Sequence, residues 1–260
     1  MTAAPDADMV VISRVAAGVH WHALDDDVVV GRGHALRRPD GRVFISVDSW
    51  RDDAFERLAT AMLCDLGSPV YTVVDDDDRE VYERWRSLGF VDHRREVELL
   101  VPTAAEVTGL SGVSLLPGAR ILPAGSADRD RLRDLDQVLR DEINATIGWQ
   151  RMPAEVARPS DEQGRFDPSR YVVAVQEDRY VGLTRIAPLP RRPRLGLIAV
   201  RAAYRGQGLA RAMLAEAFGP LHESGVTGVC ADVDQLNERA MALFTGLGAR
   251  HVGGALELVR

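Results

Sequence analysis

Lysine is missing from this chain: all 32 of its basic residues are arginines. That absence removes whole classes of chemistry. A Walker-type phosphate loop needs a lysine on the terminal phosphates, and Schiff-base enzymes need a lysine amine. Cysteine is scarce as well. The two thiols, Cys64 and Cys230, lie far apart and form no metal-type or redox-type pair, which suits a reducing cytosol and implies no metal site. No apolar run approaches the ~18 residues that span a bilayer, and Met1 to Met9 lack the basic and apolar regions of a secretory signal. The expectation is a soluble, cytoplasmic protein with no membrane partner. Positive charge is also in deficit: 39 acidic residues give a formal net charge of -7. A nucleic-acid partner, which calls for a basic stripe against phosphates, is disfavoured; an amine or cationic partner fits better.

What the chain does hold is 46% apolar residues over 260 positions, enough for two buried cores. The stretch from Pro102 to Gly118 mixes Pro, Thr, Ala, Gly and Ser between two strongly patterned halves and reads as a linker. The expected division is 1–102, a linker over 103–118, and 119–260. In the first half, Val10 to Val15, Val28 to Gly31 and Val43 to Asp48 read as strands, the last fed by the Pro39-Asp40-Gly41 turn. Phe55, Leu58, Met62 and Leu66 recur at helical spacing up to a stop at Gly67. A strand over Val70 to Val74, a helix over Asp78 to Leu88 and a strand over Glu96 to Val101 follow.

The second half repeats this order with two elements added at its front. Ala119 to Leu122 is a short strand, and Leu132, Leu135, Leu139 and Ile143 mark a helix. Arg170 to Gln176 and Tyr180 to Ile186 form a hairpin around Glu177-Asp178. Then come a strand over Leu195 to Val200, a helix marked by Leu209, Met213, Ala217 and Leu221, a strand over Val229 to Val233, a helix over Glu238 to Leu247 and a closing strand over Ala255 to Val259. Side by side, Ile45-Ser46-Val47 answers Ile198-Ala199-Val200, Arg51 falls near Arg205, and Ser87-Leu88-Gly89-Phe90 answers Gly246-Leu247-Gly248-Ala249. The chain reads as a duplication of a domain, not as a solenoid of short repeats.

The strongest local signal runs from Val200 through Arg205, Gly206, Gln207, Gly208, Leu209 and Ala210 to Arg211, between a strand and an amphipathic helix. A helix start leaves backbone N–H groups unpaired and carries partial positive charge, so a phosphate can sit there without a side chain. Gly206 and Gly208 would allow close approach, small Ala210 would bring the next turn near the ligand, and Arg205 and Arg211 add charge. From spacing alone, a glycine turn capping a core helix accounts for the segment equally well.

This segment resembles the signature of the GNAT superfamily of acyl-CoA-dependent N-acyltransferases, Gln/Arg-x-x-Gly-x-Gly/Ala, as Arg205-x-x-Gly208-x-Ala210. Downstream, Asn237 to Gly248 is similar to the family's second motif, an asparagine followed by a helix ending in Leu-Gly-Phe, here Leu247-Gly248-Ala249. The resemblance covers 119–260. It implies an α/β (α+β) fold of two tandem GNAT-like domains, each a mixed, mostly antiparallel twisted sheet flanked by helices. It also implies acetyl-CoA as cofactor with coenzyme A as product, and transfer to a primary amine of a small molecule in a ternary complex. The strand through Ile198, Ala199 and Val200 would hold the pantetheine arm, Arg205 to Arg211 the pyrophosphate, and Asn237 and Phe244 would lie at the cofactor. The family's usual tyrosine seven residues after the asparagine is Phe244 here, which cannot donate a proton to the leaving thiolate.

Removing a proton from an ammonium acceptor needs a base. Asp232 and Asp234, on one face of a strand by alternation, are candidates, with Glu142 a weaker one; strand-end or turn carboxylates account for the aspartates as well. A backbone N–H on the Leu197 to Val200 strand could stabilise an oxyanion. A protein or peptide amine acceptor, or a non-catalytic acyl-CoA-binding module favoured by Phe244, are the competing readings. The first half has Arg51-Asp52-Asp53-Ala54-Phe55-Glu56 where the second has its glycines, so acidic side chains would face a pyrophosphate, and it reads as a degenerate GNAT-like domain. Other signals carry less. His20 and His22 share a strand face without a third ligand, Asp25 to Asp27 and Asp75 to Asp78 are acidic turns, and Gly31-Arg32-Gly33 is too short for a dinucleotide fingerprint. Trp149, Met152 and Phe166 would either line the acceptor side or pack in a core.

Overall fold

The computed structural model describes residues 10–15, 19–38, 40–146, 166–189 and 192–260. Two compact units emerge, one of Met1–Arg95 with Ala255–Arg260, the other of Glu96–Gly254. The first holds β1 (Val11–Val15), β2 (His20–Asp25), β3 (Val28–Arg37), β4 (Val43–Ser49), α1 (Asp52–Leu66), β5 (Val70–Asp75) and α2 (Arg79–Ser87). The second holds α3 (Ala105–Thr108), β7 (Ala119–Leu122), α4 (Arg129–Asn144), β8 (Tyr171–Gln176), β9 (Arg179–Ala187), β10 (Arg194–Val200), α5 (Leu209–Glu223), β11 (Gly228–Asp234) and α6 (Glu238–Thr245). Two long strands, β6 (Val91–Pro102) and β12 (Arg250–Val259), give residues to both units.

In the first unit the strands run β1-β2-β3-β4-β5-β12, antiparallel except for the β4/β5 pair. In the second they run β6-β11-β10-β9-β8-β7, antiparallel except for β10/β11. The hairpin turns follow from backbone sterics. Asp26 and Asp27 between β2 and β3, and Glu177 and Asp178 between β8 and β9, all have positive φ, the conformation a two-residue type I′ turn requires at both central positions.

Helical periodicity places the cores. Phe55, Leu58 and Met62 of α1 pack with Trp21, Ala23 and Ile45, and burial of a side chain such as fully enclosed Leu58 stabilises by ~1.5–3 kcal/mol. In the second unit Leu132, Leu135 and Leu139 of α4 cover Tyr171, Val173 and Leu183, while Leu209 and Met213 of α5 cover Val172, Ala174 and Val181. These alternate residues of β8 belong to different clusters, so α4 and α5 occupy opposite faces of that sheet, which is why the strand reads as a continuous apolar run.

The boundaries differ from the expected 1–102, 103–118 and 119–260. The break falls between Arg95 and Glu96, and Ala255–Arg260 joins the first unit. Register explains both. Glu96 to Pro102 pair with β11, whereas Ala255 to Val259 pair with β5, so each unit is completed by the strand that sequence order assigns to the other. Nor is 103–118 a bare linker: it carries α3, buries Thr103 and Thr108, and puts Leu110 in the core with Val229 and Phe218.

The duplication is visible in hydrogen bonding. After α2, Leu88 and Phe90 N–H donate to the Trp85 carbonyl across left-handed Gly89; after α6, Leu247 and Ala249 N–H donate to the Phe244 carbonyl across left-handed Gly248.

Candidate active site

The second unit's parallel pair sets the geometry. β10 and β11 are in register only at Arg194↔Cys230, where Cys230 N–H donates to the Pro193 carbonyl at 3.0 Å. Beyond that point the ladder between them stops. On its other edge β10 stays paired with β9 through Val200↔Gly182, after an irregularity between Leu195 and Leu197. Arg201 N–H donates to the Val181 carbonyl, so by alternation the Ile198 main-chain groups and the Val200 N–H face the edge that β11 has left. Side chains divide between faces: Ile198 and Val200 pack toward the α5 side, Ala199 toward the α4 side.

After β10 the chain makes a 3-10 turn at Ala202–Tyr204, extends at Arg205, and enters α5 through Gly206 (φ 75°) and Gly208 (φ 78°). A Cβ on Gly206 would meet nothing within 4 Å, and one on Gly208 only the Ser114 carbonyl at 3.9 Å. Both glycines are therefore required by left-handed backbone, which costs other residues about 1–2 kcal/mol, and the room beside them is open. Gly208 caps α5 with no side-chain hydrogen bond to the first turn, which contains Leu209, Ala210 and Arg211. The helix start keeps outward-facing N–H donors and partial positive charge.

The arginines of the motif serve the backbone. Arg205 Nε donates to the Val200 carbonyl at 3.0 Å, and Arg211 Nη2 donates to the Thr108 and Gly109 carbonyls at 3.1 and 2.7 Å, at the end of α3. Gln207 is half-buried in the loop between the glycines. Glu142 at the end of α4 accepts from Ala202 N–H at 2.7 Å and from Arg201 Nε at 3.3 Å, and so braces the turn before the loop. This bracing contact is legible only in three dimensions.

Asn237 caps α6, its Oδ1 accepting from Ala240 N–H at 3.2 Å, so its oxygen is committed to the helix and its amide NH2 is the donor end. Phe244 is buried in the core with Val229, Ala231, Val233 and Leu247. Those β11 residues line the α5/α6 face, so alternation turns Cys230, Asp232 and Asp234 to the opposite face. Asp232 is ion-paired with Arg194 Nη2. Asp234 is 5% exposed; its Oδ1 accepts from Leu236 N–H at 2.9 Å. Burial, then the Glu98 carboxylate hydrogen-bonded to it, pushes the Cys230 thiol above its ordinary value against an opposing effect of Arg192.

An open strand edge thus leads into an uncapped, glycine-flanked helix start, and both present main-chain donors. Residues 136–249 match the Acetyltransferase (GNAT) family. The matched segment contains the strand edge, the loop, Asn237 and Phe244. A mycothiol acetyltransferase of Propionibacterium freudenreichii is 27% identical over 90% of this chain and 74% of its own. Among solved structures, the GNAT fold recurs in a GCN5-related N-acetyltransferase from Sphaerobacter thermophilus, at TM-score 0.67 and 16% identity, covering 93% of this chain and 80% of the other. It recurs in a tandem GNAT protein from the clavulanic acid biosynthesis pathway, at TM-score 0.62 and 16% identity over 93% and 82% of the two chains.

Of the weaker signals, His20 has its ring 4.7 Å from that of His34, and no cluster of three metal-ligating groups occurs among the described residues. Phe166 is a core residue, its ring tilted against that of Tyr171 at 5.3 Å between centroids. Trp149 and Met152 lie outside the described residues. No helix among those described is long and apolar enough to cross a membrane.

Proposed function

We propose that the chain is an acetyl-CoA-dependent N-acetyltransferase that acts on a primary amine of a small molecule by direct transfer in a ternary complex, with the cofactor held in the second unit alone. One observation carries the reading: the edge of β10 that β11 leaves runs straight into a loop whose backbone donors no side chain caps. The fit is chemical. Ile198 and Val200 offer main-chain groups to an amide-bearing arm, the first turn of α5 offers N–H donors to a diphosphate, and the space beside Gly206 admits it. Asn237 donates from the start of α6. The bound cofactor supplies an activated acyl carbonyl. A main-chain N–H on the open β10 edge would polarise that carbonyl, and Asp232 or Asp234 would serve as the base for the acceptor amine. A small-molecule acceptor agrees with the name of the mycothiol acetyltransferase relative.

The first unit is read as a degenerate copy retained for architecture. Its own helix start is already answered: Arg51, the N-cap of α1, holds Asp53 through two hydrogen bonds of 2.9 Å and pairs with Asp25. Calorimetric titration with acetyl-CoA tests the assignment, one site per chain being expected and two tight sites refuting it. Phe244 favours a second reading, a non-catalytic acyl-CoA-binding module, because its buried ring offers no proton to a leaving thiolate. Thiol release with a panel of amines decides between them: turnover removes the module, and intact binding without turnover supports it.

A further inference from the structure

Arginine gathers on one face of the first unit. Ile45, Val70 and Val74 enter the core that α1 and α2 cover, so alternation turns Phe44 and Tyr71 to the opposite face, where their rings stack at 5.3 Å. Glu257 stands on that face as well, because Leu256 and Leu258 on either side of it enter the core. Three guanidinium groups converge on its carboxylate. Arg42 Nη1 donates to Oε1 at 2.6 Å, and Arg94 Nη2 and Arg38 Nη1 lie 3.6 and 4.0 Å from Oε2. His93 Nε2 is 3.7 Å from Oε1.

The charges do not balance. Asp40 is the second acid, accepting from Arg42 Nε at 2.8 Å and from the Arg42 main-chain N–H at 2.9 Å. Two carboxylates thus face three guanidinium groups, which leaves one positive charge in excess, and a second when His93 is protonated. Donors are in surplus too. The Arg42 side chain is only 9% exposed, its Nε and Nη1 are committed to Asp40 and Glu257, and its Nη2 is enclosed without a partner. Burial holds the Arg38 guanidinium below its ordinary value against the attraction of Glu257, and repulsion from Arg42 and Arg94 adds to the effect. A cluster that served only to neutralise Glu257 would need neither the third arginine nor the spare donor. Access is from one side: Arg38, lying 3.4 Å over the centroid of the Phe44 ring, is 20% exposed and His93 30%.

We propose that Arg38, Arg42, Arg94 and His93 bind the oxyanion group of a ligand, a carboxylate or a phosphate, admitted past Arg38 and His93. Such a group brings the missing negative charge and acceptor oxygens in the geometry a guanidinium fork matches. The site belongs wholly to the first unit and does not rest on the acetyltransferase reading; it gives that unit a ligand of its own beside its architectural role.

The test uses the full chain labelled with 15N-arginine, the Arg42 Nε–H resonance being assigned by its loss in Arg42→Gln. Sodium acetate and inorganic phosphate are the probes, with chloride at the same ionic strength as the control for screening. The expected result is a saturable shift of the Arg42 signal with acetate, phosphate or both and none with chloride, and binding at least ~10-fold weaker in Arg38→Gln. A response to acetate alone marks a carboxylate ligand; a response to phosphate alone, or tighter binding of phosphate, marks a phosphate-bearing one. Phosphate could also settle at the start of α5, so both titrations are repeated in Gly208→Glu, where the Arg42 shift should persist. A signal that neither anion moves beyond the chloride control, a shift that vanishes in Gly208→Glu, or equal affinity in Arg38→Gln would overturn the proposal. If Arg42→Gln does not fold, the Arg38 signal, assigned by its loss in Arg38→Gln, is the readout, and the comparison of each anion with chloride decides.

Discussion

The two units build the same strand-turn-helix passage and finish it in opposite ways. From β4 to α1 the chain reads Arg51-Asp52-Asp53, and carboxylates in the first helical turn meet the partial positive charge of the helix start, with Arg51 and Arg84 binding them in turn. From β10 to α5 it reads Arg205-Gly206-Gln207-Gly208, the acids are gone, and the arginines are drawn to main-chain carbonyls. One helix start is neutralised from within; the other has no side-chain cap. A second contrast lies across the sheets. Glu257 pairs with Val73 in β5 as Glu98 pairs with Asp232 in β11, one strand before each parallel pair. Glu257, at 3% exposure, is bound by Arg42 at 2.6 Å with Arg94 and Arg38 within 4.0 Å, whereas Glu98 is hydrogen-bonded to the Cys230 thiol. The first unit uses its acid to hold arginines and rings together; the second keeps a face rich in carboxylates. A duplicated scaffold thus keeps its fold while local side chains decide whether it retains a place for a ligand.

The largest effect should come from breaking the buried cluster. Glu257→Gln removes the buried carboxylate that Arg42 and Arg94 share, with Asp40 still holding Arg42 Nε at 2.8 Å, and a loss toward the lower end of about 3–5 kcal/mol is expected in denaturant unfolding. Glu98→Gln should cost less, and equal losses would erase the contrast. Next is Gly208→Glu, which places a carboxylate and a strained backbone at the helix start. Acetyl-CoA affinity should fall at least ~100-fold, about 2.7 kcal/mol, with circular dichroism unchanged. Gly208→Asn, which tolerates left-handed backbone, should bind more tightly than Gly208→Glu, and Arg51→Ala in the first unit should leave affinity as it was. Smaller still is Asp53→Asn. The Arg51 hydrogen bond holds the Asp53 carboxyl below its ordinary value. Its stabilising contribution is therefore present above about pH 4 and is lost as pH falls through the lowered folded value. A slightly reduced thermal midpoint at pH 7 that merges with the parent's in strong acid checks this. Last, exposed Cys64 should react with a thiol reagent at pH 7 well before Cys230, whose thiol burial pushes up.

Much of the fold was legible locally. The period of Phe55, Leu58 and Met62 marked α1, the pair Glu177-Asp178 marked a hairpin, and both now have the expected conformations. The glycine loop was legible for a related reason, since a left-handed backbone leaves its mark on residue type at the position itself. What escaped were relations across long sequence distances. The Pro102 to Gly118 stretch reads as a linker by composition, yet Leu110 is core. Arg205 and Arg211 read as charges for a ligand, yet each is held by a backbone carbonyl. Asp232 and Asp234 read alike, and only their surroundings, Arg194 for one and an unanswered oxygen for the other, tell them apart.

By itself the sequence determined the element order apart from β2 and α3, the duplication, the absence of lysine chemistry and the place of the left-handed glycines, because each is set by residues that are neighbours along the chain. Tertiary structure alone decided which strand completes which sheet, where β10 and β11 part, and which carboxylates are already engaged. Strand pairing and ion pairing join residues far apart in sequence, and their outcome depends on distance and burial that no local pattern encodes.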